Sequence, residues 1–458
     1  MKNLFCLTAA LLLFCGAASA QVVAAQVTEG DTVVDNADGR NTDGSLQNYR
    51  RSSLYSVLIK HSSFPYGETI DSTFMSIPTP DKFNNHDVGP KSFESSASKM
   101  KKKGKDKARV NEMDIEAFIE ANDIARQMVA RWFDRDAATG GFDMKLIQER
   151  GFESANWNDI ELALSTEAGT SQLGDLGEEL IGKTFLLVND ITFVDRGENS
   201  KKAGGFLRLF GSIVSAATGV SAAEDIGNLA GAAVNEIDGF KVNITSYLYR
   251  LDWNEAIGNT FYRDHFYFAG QTDEAKRAAF DASDIFKLTY IGQTTTSAAN
   301  LASKNLSSKP KTAQMLKVCT RAIDKSIVEL QRAYDEFKVN VPISRVNEDG
   351  TCEVPIGLKE GINEKSQFDV LIAEKDAETG MISYKKVGKI QPIKGRIWDN
   401  RFGALEDQEA IANEGAKKSD EDGDGDAALT ATTFRILDGA NRIGEGYLVR
   451  ESTIKRAK

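Results

Sequence analysis

Histidine is nearly absent: His61, His86 and His265 are the only three in 458 residues. None has a second histidine or a cysteine at metal-ligand spacing, and neither H-E-x-x-H nor G-x-S-x-G occurs. The motifs of zinc proteases and of serine-elbow hydrolases are therefore missing. Cysteine is as scarce, with Cys6 and Cys15 near the start and Cys319 and Cys352 far along the chain, so no disulfide scaffold can be built. A cysteine nucleophile would need a histidine partner, and nothing in the sequence points to one. Positive charge is in deficit too. A formal net charge of −11 speaks against nucleic-acid binding, which uses a basic footprint.

What is present begins with a leader. Lys2, the apolar stretch Leu4 to Phe14 and the small-x-small Ala18-Ser19-Ala20 have the form of a signal peptide over residues 1–20, cleaved to leave Gln21. The stretch is short of the ~20 apolar residues that span a bilayer, so no transmembrane span is expected. A rival reading makes Cys15 a lipidated residue, but such sites take a small residue before the cysteine, and Phe14 is bulky. The expected location is periplasmic or secreted. In that oxidising setting Cys319 and Cys352 could form one bridge, or stay as buried thiols. The position of Cys319 on the apolar stripe of a helix favours the thiol.

Composition then divides the chain. Residues 21–110 show weak patterning and predict an extended arm with a few docked strands, ending in a basic run from Lys99 to Arg109. That run is a solvated linker or a contact for an anionic envelope surface. Residues 111–337 predict an α+β domain. A helix carries Ile115, Phe118, Met128, Val129 and Trp132, with Asn111 as its N-cap. Three strands follow at Thr184 to Val194, Phe240 to Leu251 and Ile285 to Thr295. A long helix with Leu316, Cys319, Ile323, Ile327 and Leu330 on one face is expected to lie across the sheet. Between the first two strands, small residues recur at every fourth position from Gly211 to Gly231. This predicts an inserted helical hairpin over 206–236, which packs internally or provides a self-association surface. Residues 338–458 carry short strands and turn signals, among them Asn347 to Gly350, and predict a small β-barrel.

Two stretches match functional motifs. Gly177 to Thr184 matches the phosphate-loop pattern G-x-x-x-x-G-K-[ST], yet a helical segment precedes it and a strand follows. That order is the reverse of what phosphate binding at a helix N-terminus needs. Asp420, Asp422, Asp424 and Asp426 begin like a calcium loop, with oxygen ligands at alternate positions and Gly425 after the third aspartate. The bidentate glutamate expected at the twelfth position is Ala431. These four aspartates are the candidate calcium ligands; the other reading is a solvated acidic loop.

The leader, the arm with Ser52-Ser53-Leu54-Tyr55-Ser56 and Pro80-Asp81-Lys82-Phe83-Asn84, and the stretch Gly177 to Asp190 resemble secreted proteins of Bacteroidetes-type bacteria, a group with no assigned activity. Separately, Ile356-Gly357-Leu358-Lys359-Glu360-Gly361 followed by Phe368-Asp369-Val370-Leu371 is similar to the SH3-like C-terminal domain of flagellar assembly protein T, which implies an SH3-like fold for the last domain. The expected function is that of an exported, non-catalytic envelope protein acting through contacts with other envelope proteins. The alternative is a carbohydrate- or peptidoglycan-active protein with paired carboxylates and Trp157, Trp253 or Trp398 as sugar platforms.

Overall fold

Strand β1 (Ser52–Lys60) is buried along nearly its whole length. Leu54 and Leu58 enter one core, while Tyr55, Val57 and Ile59 enter another. A strand buried on both faces belongs inside a sheet, and β1 lies there. On one side it pairs in parallel with β2 (Phe83–Asn85) and β3 (Ser92–Glu94), and on the other with β4 (Thr184–Asp195). β5 (Asp238–Leu251) and β6 (Leu288–Ala302) extend the sheet antiparallel, giving the order β2-β1-β4-β5-β6 with β3 also on β1. The computed structural model describes residues 52–62, 67–96, 105–154, 177–195, 238–302, 311–338, 340–375, 382–404 and 429–452. All of them fall in one compact unit, Asn41–Lys458.

Helices cover both faces of this sheet. On one side α1 (Gly67–Met75) and α7 (Lys311–Ala333) bury Ile70, Phe74, Met315, Val318, Cys319 and Ile323 against Phe185, Leu187 and Leu248. On the other lie α2 (Lys105–Ala121), α3 (Ile124–Trp132), α4 (Lys145–Ser154), α5 (Glu255–Asp264) and α6 (Glu274–Asp281), whose Ile115, Met128, Trp132, Ile147, Phe261 and Phe280 meet Leu186, Val188 and Tyr247. The three expected strands and the long helix across them are in place.

Three expectations change. Residues 52–96 are no arm: β1 is an inner strand, hidden from sequence reading because a nine-residue run with both faces apolar shows no one-sided alternation. Asn111 is not an N-cap, because α2 begins at Lys105 and the Asn111 side chain is buried inside it. The periodic stretch from Ile115 to Trp132 is two helices, broken at Asp123, whose backbone is left-handed with φ 47°.

The C-terminal strands are β7 (Val341–Pro342), β8 (Arg345–Val346), β9 (Thr351–Val354), β10 (Phe368–Lys375), β11 (Ile382–Pro392), β12 (Thr432–Asp438) and β13 (Leu448–Glu451). They form one seven-stranded sheet in the order β7-β13-β10-β11-β12-β9-β8, curled into a half-barrel rather than a closed one. The fold is α+β. The Asn347 to Gly350 turn joins β8 to β9, with the Asn347 N–H donating to Thr351 O and Gly350 at φ 79°. Among the described residues, no helix is long and apolar enough to cross a membrane.

Both late cysteines are free and lie in different cores, Cys319 on the sheet-facing side of α7 and Cys352 in the half-barrel. The expected alternative of a bridge between them is thereby corrected. Burial pushes each thiol up to about 12, so neither forms thiolate at neutral pH. Iodoacetamide at pH 8 should leave Cys319 and Cys352 unmodified in the native protein and alkylate both after denaturation. A disulfide-linked peptide joining them, seen by mass spectrometry, would contradict this.

Candidate functional site

Helix α7 has two working faces. One is the core stripe just described. The other, which meets that stripe at Ile327, carries Asp324, Val328 and Gln331, spaced i, i+4 and i+7 along one side of the helix. This second face lines a cavity of about 280 Å³. The opposite walls come from Pro80, Asp81, Lys82 and Phe83, which lead into β2, and from Val341, Pro355, Lys359, Glu360, Trp398 and Asn400 of the half-barrel. The two short stretches that carried separate resemblances in the sequence thus meet at one place.

A tight turn sets the half-barrel wall. Leu358–Glu360 is a single 3₁₀ turn between two glycines. A Cβ on Gly357 would come within 2.2 Å of Trp398 O, and Gly361 holds φ at 67°, so each position suits glycine. Asn400 braces the turn from the far side. Its Oδ1 accepts from Lys359 N at 2.8 Å, and its Nδ2 donates to Glu360 Oε2 at 2.8 Å. The Gly357 N–H reaches the same Glu360 oxygen at 2.5 Å.

The charges here are mostly paired. Lys82 Nζ makes an ion pair with Glu360 Oε1. Burial pushes the Glu360 carboxyl up, but Lys82, Asn400 and the Gly357 amide together hold it below the usual range, so it stays ionised. Lys359 Nζ lies 3.3 Å from Asp81 Oδ2. Burial works against its charge, yet Asp324, Asp81 and Glu360 push it up to about 12. Asp324 is the exception. It is only 8% exposed and has no hydrogen bond or ion pair among the described residues. Burial raises it to about 6, against the pull of Lys359. Neither of its oxygens is among the enclosed, unpartnered side-chain atoms of the described residues, so the carboxylate opens onto the cavity.

Two other polar clusters are internal ties. His61 Nε2 lies 2.6 Å from Asp190 Oδ1, and Asn111 Nδ2 donates to the other oxygen at 2.8 Å, which links β1, β4 and α2. His86 donates from Nε2 to Met128 O at 2.9 Å and accepts at Nδ1 from Arg150 at 2.9 Å. Burial, reinforced by Arg150, holds His86 neutral, well below its ordinary value. Arg150 also stacks 4.4 Å over the Trp132 ring. His265 sits among Phe261, Phe280 and Phe286, as its aromatic neighbourhood in the sequence implied.

Residues 177–181 are helical and β4 starts at Thr184, so the phosphate-loop match has the reverse of the required order. Thr184 Oγ1 accepts from Trp132 Nε1 at 2.7 Å, and Glu178 accepts from the Tyr262 hydroxyl at 2.6 Å. Asp420, Asp422, Asp424 and Asp426, the hairpin over 206–236, the leader and Trp157 lie outside the described residues. So does the basic run from Lys99 to Gly104; Lys105 to Arg109 open α2. Among the described residues, no group of three or more His, Cys, Asp or Glu side chains is placed to hold a metal. Of the proposed sugar platforms, Trp253 packs half-buried against Phe133 and Phe261 at the edge of the core, while Trp398 lines the cavity.

No protein-family model and no curated protein matches the chain.

Sequence reading did not single out Asp324, Lys82, Lys359 or Glu360 as a site. The signal was faint: one acidic residue between Ile323 and Ile327 on a strongly periodic helix, and two short stretches 270-odd positions apart.

Proposed function

We propose that this is an exported, non-catalytic protein of the cell envelope or the secreted fraction, that it works by contact with other proteins, and that the cavity is where it grips a partner. Asp324 carries the reading. A nine-tenths-buried carboxylate facing open space with no donor of its own fits a site that an incoming group completes. The cavity walls carry carboxylates and lysines, without serine, threonine, cysteine or histidine, a lining suited to gripping a charged group. Export rests on the leader at residues 1–20. A photo-crosslinking residue in place of Gln331 should capture a partner from envelope extracts, and Asp324→Asn should abolish that capture. Turnover of a glycan or peptide library by the purified chain would overturn the proposal.

One observation favours the alternative of carbohydrate or peptidoglycan binding: Trp398 lines the cavity together with Asp324 and Glu360. On that reading, titration with N-acetylglucosamine oligomers should give saturable binding, weakened about tenfold by Trp398→Ala. Equal binding by the variant would remove it.

A further inference from the structure

We propose that the cavity is a lysine-binding site, in which Asp324 receives the ammonium group of a lysine side chain presented by a partner protein. This deepens the contact reading above and rests on it. The charges that face Asp324 come from both sides. Asp81 and Lys82 belong to the segment before β2, and Lys359 and Glu360 to the half-barrel turn. Lys82 is paired with Glu360, and Lys359 lies 3.3 Å from the exposed Asp81 while Asp324 acts on it more strongly across the cavity, so three acids face two cations. The walls therefore hold one negative charge more than positive, matching a single cation.

The rest of the lining selects among donors. Around these charges stand Ile327, Val328, Val341 and Pro355, aliphatic walls suited to a four-methylene stem. A sugar would bring several hydroxyls, each needing a partner. Asn400 is already committed on both its polar atoms, which leaves Gln331 as the one neutral amide side chain in the lining. An ammonium is a compact point charge on a slim four-carbon stem, which a carboxylate recessed among aliphatic side chains can receive end-on. A neutral hydroxyl would leave the ionised Asp324 uncompensated.

The test is calorimetric titration of the full chain at pH 7.5 with Nα-acetyl-lysine amide and with its Nε-acetylated counterpart, alongside glucosamine and N-acetylglucosamine. The expected result is at least tenfold tighter binding of the free ε-amine than of its acetylated form. Asp324→Asn should abolish that preference while the near-ultraviolet circular dichroism stays native. Lysine binding should also weaken as pH falls through about 6, where Asp324 takes up its proton. Equal binding of the two lysine probes, absence of binding by both, or an unchanged preference in Asp324→Asn would each overturn the proposal. Glucosamine preferred over the lysine probe would replace the peptide source with a glycan one. If N-acetylglucosamine binds and Trp398→Ala removes it, the lysine proposal falls but the cavity remains a recognition site. If no probe binds, and the crosslinker at Gln331 captures nothing that depends on Asp324, the contact reading falls with it.

Discussion

Lys82→Met will destabilise the protein by about 3 kcal/mol, and adding Glu360→Gln to it will recover most of that loss. The two side chains keep only 20% and 17% of their surface exposed, so their charges sit largely out of water. Without Lys82, Glu360 would retain two neutral donors, the Gly357 amide and Asn400, against a full negative charge. Removing one partner of a buried pair typically costs ~3–5 kcal/mol because it strands the other charge, and residual exposure places this pair at the low end. Replacing both relieves the stranded charge, since glutamine can still accept from Gly357 and Asn400. Urea unfolding of the parent, both single variants and the double variant would measure the coupling. Additive losses would show that the pair does not interact. The pair also joins the segment before β2 to the half-barrel, alongside Arg332, which meets Glu451 at 3.1 Å and Gly361 O at 3.0 Å. Loss of Lys82 should therefore loosen the half-barrel first, seen as a separate early transition.

The periodic elements were legible because their signals are local. Thr184 to Val194 and Phe240 to Leu251 are rich in β-branched and aromatic residues. The α7 stripe repeats by threes and fours over about four turns, and burying it requires a partner surface, which the sheet supplies. β1 was not legible as an inner strand, because its parallel partner β4 lies more than 120 residues away and parallel pairing leaves no turn in the sequence. The cavity was the least legible feature. It gathers residues from α7, from the segment that leads into β2 and from several separate stretches of the half-barrel, and its defining property, a carboxylate lacking a donor, is an absence of contact that no spacing rule encodes. Asn111 shows the converse error. It has the chemistry of a helix cap, but the tertiary demand of Asp190 for a donor places it mid-helix.

Asp324→Asn should stabilise the protein at pH 8 and leave it unchanged near pH 4. The folded-state pKa of Asp324 is raised from its ordinary value to about 6. The folded protein therefore binds the proton more tightly than the unfolded chain does, and the contribution of Asp324 is most favourable below pH 4. It is lost progressively as pH rises, and the loss is complete above about 6. A shift of about two units corresponds to roughly 2–3 kcal/mol of unfavourable free energy in the ionised form. Asparagine keeps the shape and never ionises, so urea unfolding at pH 4, 6 and 8 should show a gap that opens from near zero to that size. A variant less stable than the parent at pH 8 would mean that Asp324 has a partner in the folded protein, and the cavity would lose its claim to be a recognition site. The comparison also separates fold from function. A residue kept for packing would not be improved by losing its charge, whereas one kept for an incoming cation should cost stability until that cation arrives. A saturating ammonium probe should then stabilise the parent at pH 8 and leave Asp324→Asn where it was, closing the gap from the other side.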